Sequence, residues 1–318
     1  MIEVENLGRT YKAKRGQPEV AALSGVSFRV HKGELFGILG PNGAGKTTLI
    51  RILSTLLMPS QGTASIDGID VARNPQGVRP RIGVVFGGER GLYDRLTARD
   101  NMRFSAELYG LPVKGRDALI TQLLDRVDLA EKSEVRVETF SRGMRQRLHI
   151  ARALLHRPDV LFLDEPSNGL DPVAARELRR TVRELADGGT TIILTTHYMF
   201  EADELCDRVA VIVAGRVVAV SKPADLKAGA PVGSTFEFSG HEAFDDSVQR
   251  LVDEGQFIDV QSRDADGATH WLLRCDGEKP ISREALSRAL EIETSRVFER
   301  PPTLEDAYVA LVSRNSES

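Results

Sequence analysis

The segment GPNGAGKT at residues 40–47 carries the chemistry most directly readable from residue type and spacing. It fits the pattern G-x-x-x-x-G-K-[ST], for which roughly 0.01 chance matches are expected in a chain of this size. Gly40, Gly43 and Gly45 let the backbone turn so that successive N–H groups face one anion, at the positive end of a following helix. Asn42 lies within the turn. Lys46 is placed to reach the β- and γ-phosphates of a nucleotide, and Thr47, followed by Thr48, offers a hydroxyl to Mg²⁺. The alternative is a glycine-rich turn with a solvated lysine. Against it, the segment follows the apolar run ELFGIL and opens the helical pattern KTTLIRILSTLL, the strand–loop–helix context that the motif requires.

A second run, DVLFLDEP at residues 159–166, ends in adjacent carboxylates. Continuous apolar runs of this kind belong in buried parallel sheets, whose ligands gather at the carboxyl ends of the strands. Asp164 is then placed to hold the metal, and Glu165 to polarise an attacking water. The competing reading is a loop start or a helix cap.

Between these segments lies ETFSRGMRQRLHIARALLHRPD. Ser141 is a good N-cap, and Met144, Leu148, Ala151 and Leu155 recur at helical spacing. A serine hydroxyl, a glycine backbone and unsatisfied N–H groups at its start make a second anion-binding helix end. In this order the segments resemble the ATP-binding-cassette (ABC) ATPases. FSRGMRQR is similar to their signature sequence, SNGLD at 167–171 to their D-loop, and THYMFEADELCDRV places His197 where the family has its switch histidine. Tyr11 takes the place of the aromatic residue that stacks on adenine. The resemblance covers residues 1 to about 225, and within it that of GLYDRLTARDNMRFSAELYGL is to the sodium-extrusion and drug-resistance branch of bacterial exporters.

The resemblance implies a dimer in which ATP lies between the phosphate loop of one subunit and the signature helix of the other. Ser141 and Gly143 would then contact the γ-phosphate held by the partner subunit's phosphate loop, and closure would assemble Glu165, His197, Mg²⁺ and water. Three plainer alternatives stand beside these roles: His197 as the cap of the next helix, Tyr11 as an ordinary edge-strand aromatic, and Asp171 as the cap of the helix beginning at Pro172. The Asp171 cap is compatible with a role across the dimer.

Two departures from the family pattern are visible. In the signature, Phe140, Arg142 and Met144 replace the usual leucine, first glycine and glutamine, with Arg142 expected to face solvent or, failing that, the nucleotide. After the strand IGVVF, the glutamine usual at that point is replaced by Gly87, followed by Gly88 and Glu89. Three readings compete there: water fills the place, which suits Mg²⁺ because it keeps several waters; Glu89 reaches in, adding a carboxylate beside Glu165; or the domain hydrolyses poorly. Water replacement is the preferred one. The helical pattern after Thr97, with Met102, Phe104 and Leu108, would form the subdomain that docks onto a membrane protein, with Tyr93, Arg95 and Leu96 as candidate contacts; the alternative is an ordinary surface loop and core helix.

The elements that must position these groups point to an α/β fold: a P-loop NTPase of the ABC ATPase class, with a parallel-sheet core, an antiparallel β subdomain and a helical subdomain over residues 1–225. After the turn-rich linker KPADLKAGAPVG, residues 226–318 read as a small α+β module of β-α-β-β-α-β order, ferredoxin-like. Its ending, PPTLEDAYVALV, resembles the tail of drug-resistance ATPases, where such an extension supports dimer assembly; the alternative is a packing appendage.

Composition is that of an ordinary globular protein, with 318 residues, 41% hydrophobic and 28% charged. A net charge of −4 and a pI near 6.0 carry no basic footprint, so no nucleic-acid partner is expected. Cys206 and Cys275 lack CxxC spacing and read as reduced thiols. The acidic N-terminal segment has no apolar core typical of a signal peptide, and no apolar run is long enough to span a membrane. The expected location is therefore cytoplasmic, held at the inner face of the membrane through a separate transmembrane permease. A non-transport ABC switch in nucleic-acid repair or translation is the alternative; a P-loop small-molecule kinase has no use for the signature helix.

Overall fold

The computed structural model describes residues 1–12, 19–87, 91–229, 232–240, 245–265, 268–277, 279 and 281–316. Along the chain it begins with β1 (Ile2–Tyr11), β2 (Val20–Val30), β3 (Leu35–Leu39), α1 (Lys46–Leu53), β4 (Gln61–Ile66), β5 (Ile69–Asp70), α2 (Pro75–Val78) and β6 (Ile82–Val85). There follow α3 (Ala98–Leu108), α4 (Arg116–Arg126) and α5 (Arg142–Ala153), then β7 (Val160–Asp164), α6 (Pro172–Asp187), β8 (Thr191–Thr196), α7 (Met199–Leu205), β9 (Arg208–Val213) and β10 (Arg216–Ser221). The rest comprises α8 (Pro223–Gly229), β11 (Val232–Gly240), α9 (Asp245–Asp253), β12 (Phe257–Ala265), β13 (Ala268–Asp276), α10 (Arg283–Ala289), β14 (Phe298–Arg300) and α11 (Leu304–Ser316). The chain divides into two compact units, Met1–Val220 and Ser221–Ser318.

In the first unit a six-stranded sheet has the order β10-β9-β3-β8-β7-β6. Its strands β3, β7 and β8 are buried at every residue, which is why they read as unbroken apolar runs rather than alternating ones. Parallel register sets Leu39 beside Thr196, Asp164 beside Thr195 and Val85 beside Leu163. The carboxyl ends of four strands thus form one edge, where α/β sheets place ligands. A second, antiparallel sheet of order β2-β1-β4-β5 joins the same apolar core, with Phe28 stacked on Phe36 at 5.3 Å. Helices α3, α4 and α5 pack together as a helical lobe.

The second unit carries the expected β-α-β-β-α-β order as β11–α9–β12–β13–α10–β14. Its sheet order, β12-β13-β11-β14, is antiparallel throughout, with the first and third strands central, as in a ferredoxin-like module. One sheet face, through Phe236, Phe238 and Leu273, meets Val248 and Leu251 of α9 and Leu286 and Leu290 of α10. Period-two alternation sends Thr235 and Arg274 to the other face, where α11 packs and buries Leu304, Ala307 and Ala310. There the guanidinium of Arg274, 2% exposed, is bound by Asp259 and Asp306. Arg300 Nη1 and Thr303 N also donate to Asp306 Oδ2, at 2.6 and 2.8 Å.

One sequence expectation needs correcting here. The segment read as a linker contains α8, which starts at Pro223 and runs through good helix formers, as proline at a first helical position allows; Ala230 and Pro231 lie outside the described residues. In α3 Met102 is buried, whereas Phe104 and Leu108 face outward. The first helix of the second unit's order, read from the sequence around Phe244 to Leu251, is α9; Phe244 lies outside the described residues. Cys206 and Cys275 are both buried and unpaired, and burial pushes the Cys275 thiol up to about 12.

Candidate functional site

The loop from Gly40 to Gly45 joins β3 to α1 at the strand-end edge. Gly45 has φ +105°, and a Cβ there would lie 2.4 Å from the Ala22 carbonyl oxygen, so both backbone angle and space require glycine. As the N-cap of α1 it contributes no side-chain hydrogen bond, leaving the first N–H groups of the helix to an outside acceptor. Lys46 folds back into this loop. Its Nζ, in a side chain 4% exposed, donates to Gly40 O at 2.8 Å and Pro41 O at 3.1 Å and lies 3.2 Å from Glu165 Oε1. Asn42 and Gly43 are exposed. The Tyr11 hydroxyl sits 3.4 Å from Thr48 Oγ1, and the Arg9 guanidinium lies 5.0 Å from the centre of its ring.

Asp164, 5% exposed, ends β7. Its Oδ1 accepts from Thr195 Oγ1 at 2.6 Å and from Thr47 Oγ1 at 3.3 Å. A hydroxyl and a carboxylate held together beside a phosphate loop suit Mg²⁺, which binds through few protein ligands and keeps waters. Glu165 takes φ +50°, a left-handed conformation costing a residue with a Cβ about 1–3 kcal/mol. Its N–H donates to Thr195 Oγ1 at 3.0 Å and Thr195 O at 3.1 Å, which holds that turn and aims the carboxylate away from the strand. Asn168 Nδ2 donates to Glu165 Oε2 at 3.3 Å. His197 Nδ1 lies 3.4 Å from Glu165 Oε1 but is not aligned for a hydrogen bond. The structure thus brings Lys46, Thr47, Asp164, Glu165 and His197 together. Thr195 and Asn168 were not singled out from the sequence, although Asn168 lies within SNGLD and Thr195 two residues before His197.

The signature helix is capped as expected, and Gly143 and Arg142 make further contacts the sequence did not show. Ser141 caps α5, its Oγ accepting from Met144 N at 3.3 Å, and stays exposed. Gly143 is buried, and a Cβ there would lie 2.8 Å from Ala174 Cβ, so its glycine is also needed for α5 to pack on the first turn of α6. Asp171 caps α6, with Oδ1 accepting from Val173 N at 3.0 Å and Ala174 N at 2.9 Å. Arg142 is exposed but not free: its Nη1 donates to Gly169 O at 3.1 Å, tying the signature to the SNGLD turn.

A cleft of about 660 Å³ separates the helical lobe from the strand ends. Thr47, Gly87, Asp164 and Glu165 line one part of it, and Arg142, Arg145, Gln146 and His149 of α5 another. Burial, with help from Arg152 and Arg145, pushes the His149 imidazole down to about 4, so the ring is neutral. Gly88 and Glu89 lie outside the described residues, and with them the reading that Glu89 reaches in. Beyond them the chain is clamped to the helical lobe: Arg152 donates to Gly91 O, Arg145 pairs with Asp94, and Asn101, 2% exposed, accepts from Tyr93 N at 2.8 Å while donating to Tyr93 O at 3.0 Å and Thr97 O at 2.9 Å. Tyr93 and Arg95 point outward and Leu96 is half-buried; Tyr93 meets Phe104 edge-on at 4.7 Å. Among the described residues no helix is long and apolar enough to cross a membrane.

Comparison with known proteins agrees with this geometry. Residues 23–168 match the family described as ABC transporter. A daunorubicin resistance ATP-binding protein, DrrA3 of Streptomyces coeruleorubidus, is 45% identical over 320 residues, covering 98% of this chain and 95% of the relative. The ABC transporter ATP-binding protein NatA of Bacillus subtilis is 43% identical over 218 residues, 69% of this chain and 88% of that protein. Among solved structures, the dimeric post-hydrolysis state of the ATP-binding cassette MJ0796 bound to ADP and Pi superposes with a TM-score of 0.62 at 27% identity, covering 70% of this chain and 98% of that one.

Proposed function

This chain belongs to the ABC transporter family, and from that premise we propose how its residues divide the work of an ATP-hydrolysing subunit that powers a separate transmembrane exporter. The observation that carries the division is the Lys46–Glu165 pair at 3.2 Å, with Asp164, Thr47 and His197 around it. An incoming γ-phosphate competes with Glu165 for the Lys46 ammonium. Once Lys46 turns to phosphate, the Glu165 carboxylate is free to accept a proton from an attacking water, within the reach of a general base. His197, whose Nδ1 lies 3.4 Å from the same Glu165 oxygen that Lys46 meets, is placed to donate to the γ-phosphate. Thr47 and Asp164 would hold Mg²⁺, which when bound neutralises developing phosphate charge. Tyr11 and Thr48 would face the base and α-phosphate end, with the free N–H groups of α1 and the turn at Asn42 and Gly43 around the phosphates.

Membership of the family, and the dimeric cassette among its structural relatives, support a site completed by Ser141 and Gly143 in the signature helix of a second ATP-binding subunit. The cap of Asp171 and the Arg142–Gly169 bond would then carry the position of one signature helix into the turn after Glu165. Residues 1–225 would act as the ATP-binding domain and 226–318 as an accessory module for assembly. The loop at 91–97, clamped to α5, is the natural path to the permease, with Tyr93, Arg95 and Leu96 as contacts. The subunit would then sit on the cytoplasmic face of the membrane through its partner.

The relatives described above are transport subunits, which does not favour a repair or translation switch. Steady-state ATP hydrolysis of Lys46→Ala, Glu165→Gln and His197→Ala tests the division: each should lose at least about 100-fold, as expected for a positioned proton-transfer or charge-stabilising group. Full activity in any of the three would remove that residue from the scheme.

A further inference from the structure

Position 87 lacks the side chain usual after this strand, yet its backbone makes no demand for glycine. Its φ lies outside the left-handed region, and a Cβ would meet Asp164 O at 3.2 Å and Glu165 O at 3.9 Å. A side chain there would therefore pass beside the carbonyls of the two carboxylate residues. The same cleft is lined by Gln146 and His149, one turn apart on α5 and so on one face. Gln146 is 7% exposed and His149 4% exposed. Neither Gln146 Nε2 nor His149 Nε2 has a hydrogen-bond partner among the described residues. A buried polar nitrogen left unpaired is destabilising, so a movement of the helical lobe that gives it a partner is favoured.

We propose that Gln146 is the positioning residue that stands in for the side chain missing at Gly87. Closure of the helical lobe onto bound nucleotide carries its amide to the Asp164–Glu165 end of the cleft, where it orders the water that Glu165 activates. An amide offers a donor and an acceptor together and adds no charge. Both properties matter beside two carboxylates and a triphosphate, where a further carboxylate would be repelled. The inference rests on the ATPase reading given above.

The test uses the full chain with ATP. Gln146→Met keeps the side chain's length and packing and removes the amide. It should lower kcat by about tenfold or more, the scale of one water-orienting contact, with KM for ATP nearly unchanged. The melting temperature without nucleotide should stay the same or rise, because a buried unpaired donor has been removed. Adding Gly87→Gln to Gln146→Met should restore most of the lost kcat. The proposal is overturned if Gln146→Met turns over within about threefold of the parent, on the same scale, or if its loss comes with a lowered melting temperature and no rescue by Gly87→Gln. Glu165→Gln, run alongside, separates the two levels: undiminished hydrolysis there would remove the underlying catalytic reading, whatever Gln146 does.

Discussion

The Lys46 ammonium and the Glu165 carboxylate form a largely buried ion pair, 3.2 Å apart, with the lysine also bonded to two phosphate-loop carbonyls. The pair satisfies these two charges with each other, and nucleotide must separate them. Replacing Glu165 by glutamine removes the competitor for Lys46. ATP affinity of Glu165→Gln, measured by titration with a fluorescent ATP analogue, should therefore tighten by a few-fold. Weaker binding would show that the carboxylate does not compete with phosphate.

Arg145 and Asp94 join the signature helix to the loop proposed to meet the permease. Asp94→Asn should leave the basal ATPase of the isolated subunit within about twofold, since a partly exposed pair is worth about 1 kcal/mol or less. In membranes with the permease it should lower substrate transported per ATP hydrolysed. Unchanged coupling in vesicles would mean that the clamp at Asn101 and Arg152 is sufficient.

Gly143 has two reasons to be glycine, and they are separable. Gly143→Ala places a methyl group 2.8 Å from Ala174 Cβ, an overpacking worth about 1–3 kcal/mol. Ala174→Gly in the same chain should recover the lost stability in a thermal melt. If close approach to the partner's nucleotide is the other reason, ATP-dependent dimerisation should remain impaired in the double variant. Its full recovery would leave packing as the sole role.

In the second unit, burial alone would push the Asp306 carboxyl up, but the hydrogen bonds from Arg300, Thr303 N and Arg274 outweigh it and hold the group well below the usual carboxylate range. A folded pKa below the unfolded value of about 3.9 gives stability that is fully present above that pH and lost as pH falls through the folded value. The unit should therefore lose this stability progressively below about pH 4. Asp306→Ala should cost about 3–5 kcal/mol near neutrality by leaving Arg274 and Arg300 short of a buried partner, read as a drop in denaturant midpoint. A loss below 1 kcal/mol would show that Asp259 and Glu237 suffice.

Much of this was legible beforehand because it is local. The buried strands ending at Leu39 and Asp164, the glycine loop, and the caps at Ser141 and Asp171 are written in runs of a few residues. The β-α-β-β-α-β order of the second unit followed from the same kind of signal. What escaped depends on residues far apart in sequence: Arg142 with Gly169, Arg145 with Asp94, Gly143 with Ala174, and Arg274 with Asp306. No periodicity marks such pairs, and an arginine on a helix reads as solvated until its partner is placed. Phe104 and Leu108 show the converse: apolar at helical spacing, they face outward beside Tyr93 rather than into the core.

The central claim is that Glu165, once released from Lys46, activates the water that attacks ATP. Single-turnover hydrolysis by the full chain, with ATP bound at saturation, tests it most directly. Glu165→Gln is predicted to bind ATP at least as tightly as the parent and to cleave it at least about 100-fold more slowly; cleavage within a few-fold of the parent would contradict the account.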